Sequence, residues 1–171
     1  MDERQLYWKY DINGEYIYYL DKECTKLFSG HIEDYDRGVL WWEADVVDGY
    51  IKGVYKEYFE NSTKLELICF YRYNLQFGLY MDFYETGRVH YLCLIINNQD
   101  YDTYEFSESG ELKQKEIWPN VKYYNVIVKP DDKILNRLRE EFDLEKISEE
   151  IQRDGENFDY EKYFRTWNEI C

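Results

Sequence analysis

The sequence predicts a β-dominant α+β fold: an antiparallel sheet of stacked β-hairpin repeats over residues 1–128, then acidic helices over residues 129–171 that pack on it. Three observations predict it. A short pattern recurs at near-constant spacing, side chains alternate within it as in a strand, and the periodicity turns helical after Pro130.

The recurrence is clearest in Gly53-Val54-Tyr55-Lys56-Glu57-Tyr58-Phe59-Glu60-Asn61 and Gly78-Leu79-Tyr80-Met81-Asp82-Phe83-Tyr84-Glu85-Thr86-Gly87. Both read glycine, aliphatic, tyrosine, any residue, acid, two aromatics, glutamate, turn. Gly53 and Gly78 stand 25 residues apart. Weaker copies begin at Gly30 and Asp100, and the stretch 10–19 supplies a capping unit. The units therefore lie near residues 10–29, 30–52, 53–77, 78–99 and 100–118.

Within a unit, Tyr55, Glu57 and Phe59 alternate with Val54, Lys56 and Tyr58, placing successive side chains on opposite faces of a strand. Glu85-Thr86-Gly87 and Glu108-Ser109-Gly110 end in a residue suited to a hairpin turn. The second strands follow at 64–73, 88–96 and 111–118. The glycine that opens each unit is expected where the next strand begins, as a bulge or a close approach. A lone hairpin is marginal, so the units must join edge to edge, with something covering a face. Residues 121–128 read as a last strand.

Pro130-Asp131-Asp132 then signals a helix start. Ile134, Leu135, Leu138 and Phe142 follow helical spacing, and Leu144, Ile147 and Ile151 resume it after a break at Asp143. Gly155 is the expected stop. Asp159 is the expected N-cap of a further segment carrying the stripe Tyr160, Tyr163, Phe164 and Trp167.

Composition narrows the function. The 171 residues hold 36 Asp and Glu against 21 Lys and Arg, a formal charge of −15. Such a chain repels phosphate backbones and anionic lipid, so direct nucleic-acid and membrane-surface binding are not expected, and a basic protein is the natural partner. Aromatic residues make up 20% of the chain, which rules out an acidic disordered tail. No apolar run reaches the roughly 20 residues of a membrane span, and Met1 to Gln5 lack a signal-peptide core. Cys24, Cys69, Cys93 and Cys171 form no CxxC pair. A cytoplasmic protein is expected.

Motifs that carry chemistry are sparse. His31 and His90 stand 59 residues apart, and no HExxH, GxSxG or P-loop occurs. Cys69 and Cys93 hold near-equivalent repeat positions, as buried apolar residues or as a redox pair. Acids are so abundant that a hydrolase pair is not distinguished from chance. No catalytic residue, metal or cofactor is expected.

The two best units, with Phe28-Ser29-Gly30 as a lead-in, resemble the bacterial variant of the MORN repeat (membrane occupation and recognition nexus), which reads Gly-x-Tyr-x-x-[Tyr/Trp]-Tyr-x-Asn-Gly. The resemblance spans about residues 5–118, and Asn61-Ser62 and the stretch 38–49 depart from it. It implies stacked hairpins in an elongated sheet, and an antitoxin or immunity protein of toxin–immunity or contact-dependent inhibition systems. It carries over no catalytic residue. The resulting expectation is an immunity protein that binds and occludes a cognate, basic, nuclease-type toxin. The expected contacts are Tyr55, Glu57, Tyr80 and Asp82 on a sheet face, with Trp41 or Trp42 at the irregular unit. The alternative is a scaffold or interaction module without a toxin partner.

Overall fold

The computed structural model describes residues 1–119 and 129–165. Two short strands come first, β1 (Tyr7–Tyr10) and β2 (Tyr16–Tyr19). Eight more follow: β3 (Gly30–Asp36), β4 (Val39–Val47), β5 (Tyr50–Tyr58), β6 (Leu65–Arg72), β7 (Leu75–Phe83), β8 (Val89–Ile96), β9 (Gln99–Phe106) and β10 (Leu112–Glu116). These eight form one antiparallel meander in which every strand pairs with its neighbours in sequence. The expected strand over 121–128 lies outside the described residues.

Two kinds of connection join the strands: tight turns at β3–β4, β4–β5, β6–β7 and β8–β9, and longer loops at β5–β6, β7–β8 and β9–β10. The longer loops after β7 and β9 end at Gly87 and Gly110, closed by Tyr84 N–H to the Arg88 carbonyl at 2.9 Å and Ser107 N–H to the Glu111 carbonyl at 2.8 Å, and the one after β5 is closed by Phe59 N–H to the Lys64 carbonyl at 3.0 Å. The tight ones are the pairs Arg37-Gly38, Asp48-Gly49, Tyr73-Asn74 and Asn97-Asn98, with positive φ at both residues, as an I′ hairpin turn requires. Asn74 and Asn98 then brace the strand before last. Ile51 N–H donates to Asn74 Oδ1 at 2.6 Å, and Gln76 N–H donates to Asn98 Oδ1 at 2.7 Å.

Gly53 and Gly78 do not open strands. Each is the fourth residue of its strand, β5 or β7, inside a register shift between Ala44/Val46 or Cys69/Tyr71. Their φ values are 125° and 104°, a region that L side chains rarely adopt, so the repeated glycine marks a mid-strand bulge. A second set of bulges leaves Trp41, Glu66, His90 and Lys113 unpaired, spaced by 23 to 25 residues.

The first hairpin does not join the main sheet as a capping unit. It forms a separate two-stranded sheet, because its backbone bonds to a turn rather than to an edge. Tyr18 N–H donates to the Gly49 carbonyl at 2.9 Å, and Gly49 N–H to the Phe28 carbonyl at 2.7 Å. The edge of β3 is taken instead by the chain start, where Glu33 N–H donates to the Met1 carbonyl at 2.8 Å.

Helices α1 (Asp132–Glu141) and α2 (Leu144–Asp154) carry the expected stripes, with the break at Asp143. Asp131 accepts from Lys133 N–H and Asp143 from Lys146 N–H, each satisfying a free donor of the first turn. Gly155 ends α2. Asp159 caps nothing: the next element is a single 3-10 turn, Glu161–Tyr163, preceded by Tyr160 without a side-chain cap. Trp167 lies outside the described residues.

These elements make two cores on opposite faces of the meander. Leu135, Leu138, Ile147 and Ile151 of the helices pack on Phe70, Leu79, Met81 and Leu94. Leu6, Tyr18 and Phe28, from before β3, pack on Ile32, Trp42, Ala44 and Val46. Each core covers one end of one face, so each face keeps an end that its own core does not reach.

Candidate partner-binding site

Antiparallel pairing places directly opposed residues on the same side of a sheet. One row of partners runs Ala44, Tyr55, Cys69, Tyr80, Cys93, Thr103 across six strands. The adjacent row on that side runs Trp42, Glu57, Leu67, Asp82, Tyr91, Glu105. The intervening row, Ile68, Met81, Leu92 and Tyr104, faces the helices. Tyr55, Glu57, Tyr80 and Asp82 therefore share the face opposite α1 and α2.

The two tryptophans part company. Trp41, at a bulge, is 47% exposed, whereas Trp42 is 8% exposed and stacks on Tyr55 with ring centroids 5.7 Å apart. Trp42 belongs to the second core and acts on the face by holding the Tyr55 ring.

This face forms a trough in two connected parts that meet at Gln76. The larger, of 630 Å³, lies between the first hairpin and β5–β6, and includes Glu3, Glu15, Asp34, Trp41, Tyr55 and Tyr71. The smaller, of 420 Å³, includes Tyr80, Asp82, His90, Tyr91 and Asp100. Five carboxylates and no Lys or Arg stand among the described residues that line the two parts. Trp8, Tyr10 and Tyr16, partly exposed and with ring centroids 4.6 to 5.3 Å apart, extend the aromatic surface along the hairpin.

Local bonds fix the polar groups. Tyr55 OH donates to Glu57 Oε2 at 3.1 Å, and Tyr91 OH to Asp100 Oδ2 at 3.0 Å. Asp82 Oδ1 lies 2.8 Å from His90 Nδ1. Burial pushes the Asp82 carboxyl above the usual carboxylate range, against the opposing pull of His90. Burial also drives the Tyr55, Tyr71 and Tyr80 hydroxyls far up, so all three stay neutral donors. His90, Asp100 and Gln76 were not among the expected contacts, although His90 was expected as a surface or hydrogen-bonded strand residue. The signal for His90 was its place beside Tyr91, which becomes informative only once the bulge is known.

Cys69 and Cys93 both oppose Tyr80, on β6 and β8, so one whole strand separates them. Two strand spacings come to about 9.5 Å, beyond disulfide reach, which removes the redox pair. Burial raises both thiols and keeps them protonated.

On the other face, His31, Glu33 and Glu43 bring ligand atoms within 4.8 Å of one another. Two of the three, His31 and Glu43, are already engaged within the protein. His31 Nδ1 is 3.0 Å from Asp45 and Nε2 is 3.0 Å from Glu43, whose Oε1 also receives Tyr58 OH at 2.7 Å and Lys56 Nζ at 3.2 Å. This is a closed ion-pair network rather than an open coordination site.

No protein-family model matches the chain, and no curated protein matches it. No helix among the described residues is long and apolar enough to cross a membrane.

Proposed function

We propose that the protein is a binding protein of the immunity type, which neutralises a basic toxin domain by seating a cationic surface of it in the aromatic trough. The observation that carries the proposal is the lining itself: five carboxylates and a run of tyrosines without a Lys or Arg among them. Tyrosine offers a large rigid contact area with a polar tip, and carboxylates speed the approach of a basic partner. A nuclease must hold a polyanion in a basic cleft. A body with carboxylates fixed along one face competes for that cleft, and steric bulk from the first hairpin completes the occlusion. The resemblance of the Gly53 and Gly78 units to repeats of immunity proteins points the same way.

The test is a pull-down with the full chain as bait in a lysate of its source, followed by assay of whatever basic protein is captured. The proposal expects a stoichiometric complex in which the partner's toxicity and catalytic activity are abolished. A captured partner that stays fully active at saturating amounts of this chain would overturn it and favour a scaffold.

A further inference from the structure

We propose that the smaller part of the trough is an arginine pocket, built to take a single guanidinium from a loop of a basic protein. This rests on the binding reading above and names the chemistry of what enters. Asp82 and Asp100 supply carboxylates from β7 and β9, while Tyr80 and Tyr91 wall the space with rings 6.2 Å apart at 75°. Tyr91 OH holds Asp100 and His90 Nδ1 holds Asp82, so both acids are oriented before anything binds. Gln76 stands where the pocket opens into the larger trough.

A guanidinium suits this geometry better than an ammonium. It is planar and weakly hydrated, it stacks on aromatic rings, and it donates in a fork to carboxylates. Lysine presents a compact, strongly hydrated charge that loses more on entering a half-buried slot. A phosphate or a carboxylate ligand would meet two like charges.

The probe is a short peptide of alternating arginine and glycine, with lysine and citrulline versions as controls, titrated into the full chain. Citrulline keeps the shape of arginine and removes its charge. Arginine is expected to bind at least fivefold tighter than lysine, and citrulline not measurably. Asp82→Asn with Asp100→Asn is expected to weaken arginine binding at least tenfold. Glu140→Gln with Glu149→Gln, exposed on the helices, should change it less than twofold. Equal losses in the two double variants would mean diffuse attraction to an acidic protein and would overturn the pocket.

A measurement on the unmodified chain guards against a variant that fails to fold. The sequence holds two histidines, His90 in the pocket and His31 on the opposite face. Arginine peptide should shift the ring resonances of His90 and leave those of His31 in place. Shifts at both, or at neither, would overturn the pocket. If a captured toxin is neutralised equally by the pocket variants, the immunity reading stands and the pocket falls. If the peptide binds as described but the captured toxin stays active, the reverse holds.

Discussion

Arg139 of α1 grips Asp102 of β9 with two parallel hydrogen bonds, Nε to Oδ2 at 2.6 Å and Nη2 to Oδ1 at 2.9 Å. The same carboxylate accepts from Trp118 N–H at 3.0 Å, and Arg139 Nη2 also reaches the Trp118 carbonyl at 3.1 Å. Asp102 is 3% exposed, so this knot fixes the helices to the sheet from inside. Asp102→Ala leaves the guanidinium without its counter-ion and the Trp118 N–H without its acceptor, and should cost about 3 kcal/mol. A double-mutant cycle with Arg139→Ala in urea unfolding checks it, with a strong coupling between the two sites as the expected outcome.

Gly53→Ala probes the repeat bulge. A Cβ there would lie 3.1 Å from Asp45 Cβ, on a backbone with φ of 125°. The strain and the crowding together should destabilise the chain by about 2 kcal/mol. Gly38→Ala, also at positive φ but with nothing within 4 Å of the new Cβ, should cost less. Thermal unfolding of the two variants separates crowding from strain.

His31 makes one edge of the fold sensitive to pH. Burial pulls its pKa down, but the bonds to Asp45 and Glu43 outweigh that and leave it above the usual 6.5. The folded chain therefore holds this proton more tightly than the unfolded chain. Its contribution is complete below the unfolded pKa and disappears as pH rises through the folded value. His31→Gln should lower Tm by a few degrees near about pH 5.5 and leave it nearly unchanged near about pH 9, which differential scanning calorimetry would show. The half-exposed ring keeps the effect small.

Asp82 shares the pH direction of His31 but has the opposite charge preference. Its folded pKa is raised, so the ionised form is held at a cost at neutral pH, and relief comes as pH falls. Asp82→Asn should raise Tm at neutral pH by about 2–4 °C, on the order of 1 kcal/mol for a chain of this length, while it weakens partner binding. Parallel melts and titrations of this one variant measure both effects.

The sequence carried the strand faces well. Tyr55, Glu57, Tyr80 and Asp82 share a side because alternation is local and the two repeat copies are in phase. Which side the helices would take was not legible, since Leu135 and Phe70 meet only through tertiary packing. The glycine bulges were foreshadowed, though at strand starts rather than mid-strand, but the second set was not, for a related reason. One unpaired residue at Trp41 turns two adjacent tryptophans into an exposed one and a core one, and no local pattern announces it. The turns at Tyr73-Asn74 and Asn97-Asn98 could have been read, because asparagine tolerates positive φ. The placement of the first hairpin could not, because it depends on bonds from Gly49 to residues some 20 to 30 positions earlier in the chain.

The most direct test reverses charge on the sheet face that carries the trough and compares it with an equal reversal elsewhere. Glu57→Lys with Asp82→Lys changes the proposed face, and Glu140→Lys with Glu149→Lys changes the exposed helix surface by the same amount. Affinity for the captured basic partner, at fixed ionic strength, should fall by at least about a hundredfold in the first variant and by no more than about threefold in the second. Equal losses, or a larger loss from the helix variant, would contradict the claim that this face does the binding.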